Sequence, residues 1–243
     1  MKKLLQKTTA VLVSAALAVT CALPAFAEQP TEGVTKDENV FLILNPDGSV
    51  SEQIVSDWLH SDTGFDAAAD RSTLSGITNL KSDVLPAQDG ENLTWTTEDN
   101  DIYYQGTTQK ALPVDVSISY QLDGKPISAE DLAGKSGRVT IRFSYQNNQK
   151  ETIEIDGKKE TVYVPFVMLT GAVLDNDVFS NVQISNGKLL SDGDRSVVMG
   201  FAMPGLQESL NLDKRKLEIP DYVELTADVK DFRLDTTLTV ASN

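Results

Sequence analysis

The chain has 243 residues, 40% of them hydrophobic, and a formal net charge of −15. Such acidity excludes the basic stripe through which proteins grip nucleic acid, and it repels anionic lipid headgroups. With one cysteine and one histidine, the chain lacks the usual zinc ligands and cannot form an internal disulfide.

Residues 1–27 read as a secretory signal peptide. Lys2, Lys3 and Lys7 come first, an apolar run follows from Ala10 to Leu23, and Ala25-Phe26-Ala27 is a small-x-small cleavage site. The run is shorter than the roughly 20 residues a membrane helix needs. Cys21 lies within it, and Ala18-Val19-Thr20 before it fits a lipid-attachment signal poorly. The expectation is an exported protein, extracellular or at the cell surface. Cleavage after Ala27 leaves 18 basic against 36 acidic side chains, a charge of −18, and no cysteine. Stability must then come from core burial.

Residues 28–38 are polar, with Pro30 and Gly33, and read as a flexible tether. Val40 to Leu44 is a run of strand formers, and Asn45-Pro46-Asp47-Gly48 is a turn, with proline presetting φ and glycine accepting a positive one. Val50, Ile54 and Trp58 share one side of a second strand, which completes a β-hairpin. Residues 60–92, rich in Gly, Ser, Thr and Asp, read as a long irregular loop in which Leu74, Ile77 and Leu80 have helical-turn spacing. Leu93 and Trp95, a turn at Glu98–Asp101, then Ile102 and Tyr104 suggest a second hairpin. Residues 39–112 thus form a β-hairpin region around a long irregular loop.

Residues 113–243 read as a β-sandwich domain. Val114, Val116, Ile118 and Tyr120 alternate with polar residues, as do Val139, Ile141, Phe143 and Tyr145. Period two places one face in a core and the other in water. Between them, Ser128-Ala129-Glu130-Asp131 has a capping-box pattern for one helical turn that Gly134 can end. Further strands are expected at Val162–Leu169, Val182–Ile184, Val197–Phe201 and Val223–Val229, with turns at Asn186-Gly187 and Asp192-Gly193-Asp194. The apolar parity changes after Asp231, which predicts a bulge or tight bend at Lys230-Asp231. The fold class expected is mainly β: an immunoglobulin-like β-sandwich with an additional, smaller N-terminal β region.

No residues are assigned to catalysis, to a cofactor or to a metal. His60 ends a strand with no nucleophile or carboxylate pointed out by the sequence, and reads as a surface histidine. Gly134-Lys135-Ser136 resembles the end of a phosphate-binding loop, but Ala129 stands where that loop needs glycine and a strand follows instead of a helix. The acidic turns Asp99-Asn100-Asp101, Asp175-Asn176-Asp177 and Asp192-Gly193-Asp194 offer calcium-type oxygens without EF-hand spacing, and read as turns. The two tryptophans, Trp58 and Trp95, are assigned to core packing.

Several segments together resemble a known family. They are Glu38 to Val50, Asp101 to Gly106, Leu122-Asp123-Gly124-Lys125-Pro126-Ile127 through Gly134-Lys135-Ser136-Gly137, Pro165-Phe166 and Pro204-Gly205-Leu206. They resemble the N-terminal extracellular region of Firmicute surface membrane proteins related to the phage infection protein (Pip-like). The resemblance spans most of the chain after the leader and carries no catalytic residue. It implies an ectodomain whose membrane anchoring would come only through sequence beyond Asn243. The function expected is a non-enzymatic exported surface module for binding or assembly, without cofactors, meeting a cell-envelope or surface protein or glycan partner and no nucleic acid. The alternative is a carboxylate-based extracellular glycan hydrolase, suggested by the acidic surplus and the loop at 60–92.

Overall fold

A computed structural model describes residues 15–20 and 33–243, the first group as a backbone strand. About 61% of the described residues are strand and 4% helix, so the protein is mainly β. The N-terminal strands are β1 (Ala15–Thr20), β2 (Val34–Leu44), β3 (Val50–Ser61), β4 (Phe65–Arg71), β5 (Ser75–Asn79), β6 (Ala87–Asp89), β7 (Asn92–Thr97) and β8 (Asp101–Thr107). There follow β9 (Val114–Leu122), β10 (Lys125–Ile127), α1 (Ala129–Leu132), β11 (Gly137–Asn147), β12 (Lys150–Ile155) and β13 (Lys158–Tyr163). The last elements are β14 (Val167–Asp175), β15 (Phe179–Ile184), β16 (Gly187–Ser191), β17 (Arg195–Ala202), α2 (Leu206–Ser209), β18 (Tyr222–Val229) and β19 (Thr237–Ser242).

A nine-stranded sheet has the order β16-β17-β14-β19-β1-β2-β3-β8-β5, and a five-stranded sheet the order β10-β9-β11-β18-β15. They stack as a sandwich over one core, to which Leu42, Met168, Leu174 and Val198 come from the large sheet and Ile141, Phe143, Val223 and Leu225 from the other. Where β17 crosses β18 the layers approach closely: a Cβ on Gly200 would lie 2.5 Å from Val223 Cγ1. A buried bridge also joins the layers, because the Tyr145 hydroxyl of β11 hydrogen-bonds Thr170 of β14 and reaches Thr239 of β19 at 3.2 Å. A three-stranded sheet, β4-β7-β6, covers the other half of the large sheet over a second core of Leu59, Phe65, Leu93, Trp95, Ile102 and Tyr104. β12 and β13 form a separate exposed ribbon.

The first hairpin forms as expected. Asn45 N–H donates to Ser49 O at 2.8 Å and Gly48 N–H to Asn45 O at 2.9 Å. Gly48 takes φ +90° and lies so close to β9 that a Cβ would meet Ser117 Cα at 2.8 Å, so this turn needs glycine for conformation and for space. Ser128 caps α1 by accepting from Asp131 N–H, and β9 pairs with β11 with Ile141 opposite Tyr120. At the expected bend Asp231 has φ 54°, and the chain passes there from the five-stranded sheet towards β19 in the nine-stranded one.

Three expectations are corrected. The segment 60–92 is not an irregular loop, since it contains β4, β5 and β6; its strands are rich in Ala, Ser and Asp, which signal strand weakly. Leu74 and Ile77 form no helical turn and pack against the second core. The proposed second hairpin does not pair with itself. β7 pairs with β4 and β6, whereas β8 pairs with β3 and β5. Trp95 and Tyr104 meet across the layers, ring centroids 5.1 Å apart, and facing strands alternate just as neighbouring ones do. Finally, Val34–Glu38 of the expected tether belong to β2, with Val34 opposite Ser61 and Glu38 opposite Asp57. Of the expected leader, only Ala15–Thr20 lies within the described residues; it runs antiparallel to β2 and parallel to β19.

Candidate functional site

The two outer faces of the sandwich differ in chemistry. On the five-stranded sheet, cross-strand pairs are polar: Arg138 with Asp228 at 3.0 Å, Arg142 with Glu224 at 3.3 Å, and Thr140 with Thr226 at 3.4 Å. Arg142 also lies over the Tyr222 ring at 3.5 Å. That is the ordinary pattern for a sheet with one wet face.

The outer face of the nine-stranded sheet is apolar. In β17 the residues Val197, Met199 and Phe201 face out while Val198, Gly200 and Ala202 face in, and β14 alternates in the same way. The register aligns these residues in rows. One row runs Phe201, Leu169, Val240, position 18 of β1, Phe41 and Ile54. The next runs Lys188, Met199, Gly171, Leu238, position 16 of β1, Ile43 and Glu52, so charge appears only at its two ends. A shorter row holds Leu190, Val197 and Val173. Phe41, Leu169, Val173, Leu190, Val197, Met199, Phe201 and Leu238 are exposed, from 40% (Phe201) to 69% (Leu190), while Val240, Ile43 and Ile54 are half-buried. Contiguous exposed apolar surface is uncommon on monomeric proteins. Covering one half-exposed Leu, Met or Phe contributes about 1 kcal/mol, roughly half the value for full burial.

Behind the N-terminal half of the same sheet is a buried charge cluster. Asp57 on β3 and Tyr104 on β8 are register partners, and both point inward. Lys36 of β2 donates from Nζ to Asp70 Oδ1 at 2.9 Å and to the Tyr104 hydroxyl at 2.9 Å, and lies 3.5 Å from Asp57 Oδ2. The Tyr104 hydroxyl donates to Asp70 Oδ2 at 2.6 Å. Asp57 is 1% exposed and its Oδ1 has no hydrogen-bond partner. Burial pushes its carboxyl up to about 6, against the opposing attraction of Lys36 and of the Tyr104 hydroxyl. Burial, then the charges of Asp57 and Asp70, raise the Tyr104 phenol far above its ordinary value, so it stays a donor. Asp57 and Asp70 therefore face one another across Lys36 inside a closed core, not across a cleft that could hold a glycan and water. The sequence carried a signal for this cluster: Asp57 sits at the inward parity between Val55 and Leu59.

The residues singled out from sequence are dispersed. His60 lies on the edge of this region with Nδ1 at 2.9 Å from Asp101 Oδ1, which also accepts from Trp58 Nε1 at 2.8 Å. The Asp101 hydrogen bond raises the His60 pKa, while Trp58 first and His60 second lower that of Asp101. Trp95 is fully buried, but Trp58 is not a core residue: it stands on the outer face stacked on Tyr103, centroids 5.7 Å apart, and Lys81 covers Tyr103 at 3.9 Å. Gly134-Lys135-Ser136 leads into β11 and builds no anion-binding helix N-terminus. The acidic turns bind their own chain, Asp175 accepting from Asp177 N–H at 2.9 Å and from Arg233 at 2.6 Å, and Asp192 from Arg195 N–H at 2.9 Å. Among the described residues no group of three His, Cys, Asp or Glu side chains is placed to hold a metal ion, and no helix is long and apolar enough to cross a membrane.

Fold and site together define a mainly-β protein of stacked antiparallel sheets with one apolar outer face. No family model matches the chain, and no curated protein matches it. Among solved structures it is similar to the Fcho1 Mu homology domain of Danio rerio with bound Eps15 peptide. The identity is 7%, over 96% of this chain and 95% of that one, with a TM-score of 0.34, a likeness too slight to carry an argument.

Proposed function

We propose that this chain is a non-enzymatic exported surface module that binds or assembles through the apolar outer face of β17, β14 and β19, which lies wholly outside the leader. The observation that carries the reading is the apolar outer face shared by β17, β14 and β19, beside a second sheet whose outer face is laced with ion pairs. In a chain of net charge −15, a face without carboxylates on β17, β14 and β19 between Leu169 and Val173 needs a reason, and docking supplies one. The leader pattern and the resemblance to Pip-like ectodomains support an extracellular setting, and a cell-envelope or surface protein or glycan as the partner.

The test replaces Met199 with a photo-crosslinking residue in the full chain, expressed in an exporting host, with and without Leu169→Glu and Phe201→Glu. The expected result is a discrete crosslinked species that the charged pair abolishes while the unfolding midpoint stays within a few degrees. Measured turnover of a glycan, with no specific binding across cell-wall, glycan and surface-protein ligands, would overturn the reading.

A further inference from the structure

We propose that docking of the three-stranded sheet onto the large sheet is proton-linked, with Asp57 as the group that takes up the proton. The groups facing Asp57 are Lys36 and Glu38 on β2, Tyr104 on β8 and Asp70 on β4. Lys36 is the single cation among them, so with Asp57 and Asp70 both ionised the cluster holds an uncompensated negative charge. The other donors are committed. The Tyr104 proton goes to Asp70 at 2.6 Å, and Lys36 bonds Asp70 and Tyr104 at 2.9 Å each, leaving Asp57 a 3.5 Å contact to Lys36 and a Tyr104 hydroxyl it must share with Asp70. Asp57 Oδ1 is thus a desolvated carboxylate oxygen without a donor, a costly arrangement that protonation from solvent relieves.

The position of this charge makes it consequential. Asp57 belongs to the large sheet and Asp70 to the three-stranded one. Their repulsion acts across the junction of two layers that otherwise adhere through Leu59, Phe65, Leu93, Trp95 and Ile102. Protonated Asp57 removes the repulsion and leaves Lys36 matched to Asp70 alone. Ionised Asp57 opposes closure of the layer. Burial of the carboxyl, which pushes its pKa up to about 6, places the change in mildly acidic conditions.

The test follows amide exchange in β4 of the full chain, as protection factors referred to those of β9, between pH 4 and pH 7.5. Protection at Ala68–Arg71 is expected to fall with rising pH by up to about 100-fold, since each unit of pKa shift is worth a factor of ten. Asp57→Asn is expected to hold it at the acid level throughout. As a second readout, Trp58→Phe leaves Trp95 as the only tryptophan, and its fluorescence should report a transition whose midpoint Asp70→Asn moves to lower pH by removing the like charge. Protection and fluorescence independent of pH in the parent, a transition that persists in Asp57→Asn, or a midpoint unmoved by Asp70→Asn would each overturn the proposal. Asp57 and Asp70 lie inside, and Trp58 stands on β3, separated from β14 and β17 by β2, β1 and β19, so the proposed function stands or falls separately.

Discussion

Lys36 and Asp70, 34 residues apart and on different sheets, meet at 2.9 Å inside the smaller core. Their side chains are 15% and 7% exposed, which sets this pair apart from the other ion pairs, most of them at solvated positions such as Arg71 with Glu91. Surface pairs contribute about 0–1 kcal/mol, whereas breaking a buried pair costs about 3–5 kcal/mol because the surviving charge is stranded. Lys36→Met strands two carboxylates and is expected to destabilise by that larger amount; Arg71→Met should stay below about 1 kcal/mol. Urea unfolding of the two variants separates the cases.

Asp57 sets a pH dependence of global stability with a definite sign. Its pKa is raised from 3.8 to about 6 in the folded chain, so folding favours the protonated form. The contribution is complete below the unfolded value and is lost as pH rises through the folded one, by about 3 kcal/mol in total for a shift of this size. Urea midpoints should therefore decline between pH 4 and pH 6.5 and level off above. In Asp57→Asn that decline should vanish, and stability at pH 7.5 should equal or exceed the parent's.

His60 is the only histidine, so its ring titration can be followed without assignment. Hydrogen bonding to Asp101 raises its pKa above 6.5, and Asp62 adds to the effect at 3.4 Å. Any stabilisation from the pair is present below the unfolded value and lost as pH rises through the folded one. Proton NMR should give a midpoint above 6.5 in the parent, returning towards 6.5 in Asp101→Asn. A midpoint unchanged by that substitution would mean the pair does not persist in solution.

Tyr145 carries a polar bridge across the main core. Its hydroxyl meets Thr170 and Thr239, which also contact one another at 3.1 Å. Tyr145→Phe leaves that threonine pair intact, so the expected loss is about 1 kcal/mol. Phe143→Ala, one step along the same strand, removes a buried ring and should cost about 3–5 kcal/mol. Calorimetry on the two variants measures the bridge against the packing.

The alternation in β9, β11 and β18 was legible because each of these strands has one core face, and period two reports that directly. The turn at Asn45–Gly48 was legible because proline and glycine act locally. What sequence concealed were relationships between layers. Trp95 and Tyr104 have the parity of a hairpin yet face each other from separate sheets. Val50, Ile54 and Trp58 mark one side of β3, but the buried side holds Val55, Asp57 and Leu59, where a carboxylate interrupts the apolar pattern. Lys36 looked like part of a polar tether because its counter-charge lies on β4, within a segment too rich in alanine and serine to signal a strand. The apolar outer face was hidden for a related reason: β14 and β17 are apolar on both sides, and a continuous apolar run does not say which side is covered.

The order of the large sheet also governs when it can form. β19 provides the edge against which β14 and β1 are laid, yet it comprises residues 237–242, the last of the described strands. Assembly therefore cannot finish before residues 237–242 have emerged from a ribosome or a translocon, and β14 must wait with one edge unsatisfied. Closure over such sequence distances is slow. In that interval the unfinished molecule is open to chaperones, to proteases and to mispairing with its neighbours.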